Sequence, residues 1–202
     1  MQARRLEPTR HLFAESLAAH ARAKALDPTI ATSVAHTHFV RGEYEAAIET
    51  YGSGKGYYLD AAAWAALGDS RRALALLRER AAGPPLSPLM SGLMGSLLAI
   101  LEGRGQDAAD AMLRAAIVRE PETLFYFARH FSMLGNSREA IETLKRALHE
   151  GFSASSSMDG DAAWSAARKH ADFERVLNEA KKYEENARRL FAQAGGRHLL
   201  QL

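Results

Sequence analysis

Apolar residues recur at three- and four-residue steps through most of the chain, in short runs separated by glycines. That spacing predicts amphipathic helices. The clearest pair lies within residues 123–152. Leu124, Phe127, Ala128 and Phe131 share one face of a first helix; Ala140, Ile141, Leu144, Ala147 and Leu148 share one face of a second. Gly135 closes the first, where a residue free to take positive φ is wanted. Asn136, with Glu139 three residues on, starts the second in capping-box spacing. Small Ala128 and Ala140 let the two backbones approach closely.

The same grammar runs backwards along the chain. Residues 1–8 form a charged lead, and residues 9–26 are expected to be helical, with Leu12, Phe13, Leu17, Ala21 and Ala25 on one side. That helix stops at Pro28. Two readings stand for it: a cap, or the tail of a repeat whose own first helix lies further upstream. A first full unit turns at Gly42, with Ala31, Val34, Ala35 and His38 inward on its first helix and Tyr44, Ala47, Ile48 and Tyr51 on its second. A second unit turns at Gly68, carries Trp64, and is capped at Asp69 or Ser70. Pro84, Pro85 and Pro88 force a break before a third unit, which turns within residues 103–105. The stretch 91–101, SGLMGSLLAIL, has the length of a helix buried between neighbours. The turn glycines are 26, 35 and 32 residues apart.

This pattern of a large apolar residue, a small one and an aromatic, then a glycine turn, then alanine and bulky apolar places, resembles the tetratricopeptide repeat, whose period is about 34 residues. The resemblance implies an all-α, right-handed solenoid of helix hairpins: an N-terminal helix over residues 1–28, repeats over 29–152, and a C-terminal region over 153–202. In that region a serine loop (residues 153–157), a short helix over 161–169 around Trp164, and a long capping helix from Asp172 to about Ala194 are expected. The region resembles the C-terminal end of helical-repeat segments in large bacterial signalling proteins, namely cyclases, Ser/Thr kinases and transcriptional activators. Phe173, Val176, Ala180, Tyr183, Ala187, Leu190 and Ala194 form a heptad seam on the last helix. It serves either to cover the open end of the array or, in its distal half, to pair with a second copy as a homodimer.

Composition narrows the picture a little. A 47% hydrophobic and 25% charged chain is ordinary for a folded domain, and a net charge of +2 does not by itself call for nucleic acid or an anionic membrane. Arg71, Arg72, Arg78 and Arg80, like Lys181, Lys182, Arg188 and Arg189, are interleaved with acids and read as solvated faces. There is no cysteine, hence no disulfide or thiolate metal site. No signal segment and no membrane-length apolar run is present, and a cytoplasmic location is expected.

Catalytic patterns do not assemble. GSGKG at residues 52–56 has Glu49 and Gly56 where a phosphate loop needs glycine and Ser or Thr, so it reads as a connection. His36 and His38 are two apart on a helix and face different sides. MDGD at residues 158–161 lacks the further ligands of a calcium loop. No cofactor, metal or enzyme activity is expected.

The resemblance also implies an inner wall made of first-helix residues: Thr32, His36 and Phe39; Tyr58, Ala62 and Ala65; Leu93, Leu97 and Ile100; and Phe125, Arg129 and Ser132. An aromatic and aliphatic wall with one cation suits a protein or peptide segment bearing apolar anchors. The same residues instead become interior if Tyr58, Leu97 and Phe125 pack on one another, or if the terminal helix folds back into the groove. The function implied is a regulatory, non-catalytic interaction scaffold; the alternative is a structural or dimerising segment of a larger signalling enzyme.

Overall fold

The computed structural model describes residues 10–30, 32–51, 58–114 and 119–202. The expectations on residues 1–8, on Ala31 and on the loop at 52–56 lie outside them. Every regular element among the described residues is helical: α1 (Arg10–Leu26), α2 (Val34–Val40), α3 (Tyr44–Tyr51), α4 (Leu59–Ala66), α5 (Ser70–Ala81), α6 (Pro88–Leu101), α7 (Gly105–Arg114), α8 (Pro121–Met133), α9 (Ser137–His149), α10 (Ser155–Gly160), α11 (Phe173–Gln193) and α12 (Gly196–Leu200), with 3-10 turns at Ala162–Trp164 and Ala167–Lys169.

The four turn glycines do one job. Gly42, Gly68, Gly103 and Gly135 have φ of 78°, 86°, 74° and 82°. The residue after each donates its N–H to the carbonyl five places back: Glu43 to His38, Asp69 to Trp64, Arg104 to Ala99 and Asn136 to Phe131, at 2.8–3.0 Å. This is the Schellman closure, which needs a left-handed residue. A Cβ at any of the four meets nothing within 4 Å, so backbone conformation, not space, demands glycine there. The helices that follow pack back on those that precede: α3 on α2, α5 on α4, α7 on α6 and α9 on α8. Contacts of α3 with α4 and of α5 with α6 link successive pairs, while α2 touches α4 and α6 touches α8.

Caps follow the sequence in part. The Asp69 carboxylate accepts from the Arg72 N–H at 3.0 Å, opening α5. Ser87 accepts from the Met90 N–H at 3.3 Å, ahead of Pro88 in the first turn of α6. Asn136 makes no side-chain cap bond, contrary to the capping-box expectation. On α2, Ala35, Thr37, Phe39 and Val40 are buried, whereas Val34 and His38 are only half-buried. The inward face is therefore rotated from the one expected, because α2 is covered by α1 as well as by α3 and α4.

The C-terminal region departs further. Residues 155–157 of the serine run begin a helix, α10, where a loop was expected. Its start is held by Glu184 of α11, whose carboxylate accepts from the Ser155 N–H at 2.6 Å and the Ser155 hydroxyl at 2.7 Å. A distant residue thus supplies a cap that the local sequence does not advertise. The short helix expected around Trp164 resolves into two 3-10 turns, with Arg168 donating to the carbonyls of Met158, Asp159 and Asp161 at 2.8–3.0 Å. On α11 the proximal seam residues Phe173, Val176 and Ala180 are buried, and the helix packs on α9 and α10. Distally, Tyr183 and Leu190 remain 47% and 52% exposed. Gly195, with φ of 77°, then reverses the chain into α12, which rests on α1. The first and last helices of the described chain therefore touch.

Candidate functional site

The centre of the molecule is α8. Pro121 occupies its first turn, and the Glu120 carboxylate accepts from the N–H groups of Glu122 and Thr123 at 3.1 and 2.6 Å. All ten residues from Thr123 to Ser132 are buried. A helix covered on every side is core rather than a wall. α9 and α6 lie against it, Phe39 and Tyr58 pack on its Tyr126, and the chain after α9 adds further cover. Phe125 packs on Phe152 and Trp164 with ring centroids 5.1 and 5.2 Å apart, and the Ser132 hydroxyl accepts from the Ala167 N–H at 3.1 Å.

The residues expected to line a groove are therefore gathered, but not on an open surface. Phe39, Tyr58, Ala62, Leu93, Leu97, Phe125, Arg129 and Ser132 are buried; Thr32, His36, Ala65 and Ile100 are half-buried. The segment from Phe152 to Ala167 covers Phe125, Arg129 and Ser132, with Trp164 wholly buried. An aromatic of this size buries roughly 150–250 Å², which at about 25 cal/mol/Å² is several kcal/mol. Such a segment is a permanent part of the fold.

Its polar anchor is ionic. Arg129 Nε donates to Asp161 Oδ2 at 2.6 Å, and the two side chains are 1% and 5% exposed. Burial alone would depress the guanidinium's pKa; the Asp161 carboxylate, together with the Tyr58 and Tyr44 phenols, more than offsets this and holds it raised. The guanidinium carbon also lies 5.4 Å from the centroid of the Phe39 ring. Tyr44 is pushed up to about 12, first by burial and then by the charge of Asp161.

A second buried polar thread crosses α8. Tyr58 Oη and His130 Nε2 are 2.6 Å apart, His130 Nδ1 and Ser96 Oγ 2.9 Å, and the Ser96 hydroxyl donates to the Leu93 carbonyl at 3.1 Å. With the serine proton committed to that carbonyl, Nδ1–H donates to Ser96 and Nε2 accepts from Tyr58, so every group is satisfied. Burial, then Arg129, lowers the His130 pKa to about 3 and keeps the ring neutral. The serine faces the protonated nitrogen of its histidine, and Ser96 and His130 have no exposed surface. The thread activates no nucleophile; it ties α4, α6 and α8 together.

Sequence reasoning gave Asp161 a turn and Trp164 a short helix, and it missed Ser96 and His130. One signal was present: residues 123–132, TLFYFARHFS, have no polar stripe, which marks a helix without a solvent side.

Two places remain open. At the start of α8, His36 Nε2 is 3.5 Å from Glu122 Oε1 and makes no hydrogen bond, and the buried Tyr126 hydroxyl has no partner either. Elsewhere Leu77, Pro84, Pro85, Leu86, Met94 and Leu98 line a cleft of about 370 Å³ between α5, the proline turn and α6. Arg80 borders it and is held by both oxygens of Asp60 at 2.7 and 2.5 Å. Among the described residues, no helix is long and apolar enough to cross a membrane, and no three His, Asp or Glu gather as metal ligands. No protein-family model, curated protein or solved structure matches the chain.

Proposed function

We propose that this chain is a non-catalytic interaction module of tetratricopeptide type, a right-handed solenoid of helix hairpins closed by α11. It serves as a regulatory scaffold for a protein or peptide partner in the cytoplasm. The observation that carries this reading is the repeated turn: four first helices end in the same left-handed glycine with the same closing hydrogen bond, and each is followed by a helix that packs back on it. Stacked hairpins of this kind serve as binding surfaces because each repeat contributes one strip of a continuous face. The inner face is filled by the chain's own Phe152–Ala167 segment, so the partner docks on the outside, in the α5–α6 cleft.

Gly95 makes the test clean. It is exposed on α6 at the cleft, and a Cβ there meets nothing within 4 Å. Gly95→Arg fills the cleft without disturbing the fold. Partner capture by the wild type and its loss with Gly95→Arg, at unchanged helical content, supports the reading; equal capture by both removes the cleft as the docking place.

The exposed distal seam of α11 favours a second reading, a dimerising segment of a larger signalling enzyme. A dimer in light scattering that Tyr183→Glu converts to monomer supports it, and a wild-type monomer opposes it.

A further inference from the structure

Near the start of α8 two buried polar atoms, the Tyr126 hydroxyl and His36 Nε2, lack hydrogen-bond partners, and the charge of Glu122 bears on the Tyr126 phenol. Tyr126 is 2% exposed, yet its hydroxyl has no hydrogen-bond partner. Side chains on a helix lean toward the preceding turn, which places this ring over Glu122, four residues earlier. The imidazole of His36 stands edge-on to the Tyr126 ring, centroids 6.0 Å apart, with its unpartnered Nε2 3.5 Å from the Glu122 carboxylate. An unmet buried hydroxyl normally costs stability and asks for an explanation.

We propose that Glu122, His36 and Tyr126 form a receptor for a primary ammonium group, presented by a small amine or by a lysine side chain of another protein. A neutral imidazole nitrogen, a phenol oxygen and a carboxylate oxygen are three acceptors, and an ammonium has three N–H donors. The His36 ring is kept neutral, its pKa lowered to about 4 by burial. An anion is the wrong ligand although a helix begins here, because the first free N–H groups of α8 are already taken by Glu120. The groups acting on the site are Glu120 beside Glu122, His20 of α1, Tyr51 of α3, Tyr58 and Arg129; of these Arg129 is a fixed cation, and its charge is paired with Asp161. Burial and then the Glu120 charge push Glu122 up to about 7; the 42% of its side chain still exposed moderates that rise and leaves the carboxylate reachable from solvent. The tilted Phe152 ring, 5.7 Å from His36, adds an aromatic wall of the kind that favours cations.

The test needs only the intact chain and defined probes, and does not depend on the array reading. Methylammonium chloride is titrated at constant ionic strength while the ring resonances of His36 and Tyr126 are followed by NMR, with potassium chloride as control. Saturable shifts at millimolar concentration are expected, with affinity higher at about pH 8 than at about pH 5.5 because the carboxylate must be ionised. Glu122→Gln is expected to weaken binding at least roughly tenfold. Tyr126→Phe weakens it as well, while its melting temperature stays at or above that of the wild type, since the lost hydroxyl had no partner. A short peptide with one internal lysine, compared with its acetylated form, separates the sources: tighter binding than methylammonium, lost on acetylation, assigns a protein lysine, and equal affinity assigns a small amine. Absence of saturable shifts with both probes, or binding unchanged in Glu122→Gln, overturns the proposal.

Discussion

Replacing Asp161 by asparagine isolates what the buried ion pair contributes. The amide keeps the size of the side chain and an oxygen able to accept from the Ala163 N–H, now bonded at 2.9 Å to Asp161 Oδ1. What disappears is the charge opposite Arg129, whose side chain is 1% exposed. Breaking a buried pair by removing one partner costs about 3–5 kcal/mol. The amide has one oxygen where the carboxylate has two, so it accepts from the guanidinium or from the Ala163 N–H but not from both, and the lower end of that range is a minimum. With a urea m-value of about 2–3 kcal/mol/M, the unfolding midpoint, followed by far-UV circular dichroism, is expected to fall by at least about 1 M. Arg129→Met combined with Asp161→Leu should recover most of that loss, since two apolar side chains leave no stranded charge. It should stop about 1 kcal/mol short for want of the turn cap. A cost below about 1 kcal/mol for Asp161→Asn, the value of an exposed pair, would mean that water reaches Arg129 and that the segment does not close over α8.

Two glycines, one in the turn after α8 and one within α6, should respond oppositely. Gly135→Ala, at φ of 82°, is expected to destabilise by about 1 kcal/mol or more, whereas Gly95→Ala, in mid-helix and unhindered, should stabilise by up to about 1 kcal/mol; both are read from thermal or urea midpoints. Phe125→Ala is expected to cost about 3–5 kcal/mol and to lower the melting temperature, because this residue is core. His130 and His36 have folded pKa values depressed to about 3 and about 4. Their contribution to stability is therefore complete above about pH 6.5 and is lost as pH falls toward 4 and then 3. Melting temperature should drop across that interval, and His36→Gln should flatten part of the slope. In native-state hydrogen exchange, the amides of residues 124–132 should be among the slowest, opening only with global unfolding.

Much of the helical layout was legible because it is written in local chemistry. Gly42, Gly68, Gly103 and Gly135 mark turns whatever surrounds them, and Asp69 and Pro88 act within a turn of their own positions. Legibility ends where a distant group decides the outcome. Glu184 makes a helix start at Ser155 from α11, and Asp161 neutralises an arginine 32 residues earlier on α8. The wall residues Tyr58, Leu97 and Phe125 were picked out together by their place on first helices. Whether Phe125 faced a partner or the chain itself turned on Phe152 and Trp164, and no periodicity encodes where those rings come to rest.

The cover that residues 152–167 place over α8 is most directly tested through Trp164. In a Trp64→Phe background it is the single tryptophan, so acrylamide quenching of its fluorescence reports on that contact alone. A blue-shifted emission that acrylamide barely quenches is the expected result. A red-shifted emission quenched as readily as that of a free indole would place Trp164 in water and contradict that cover.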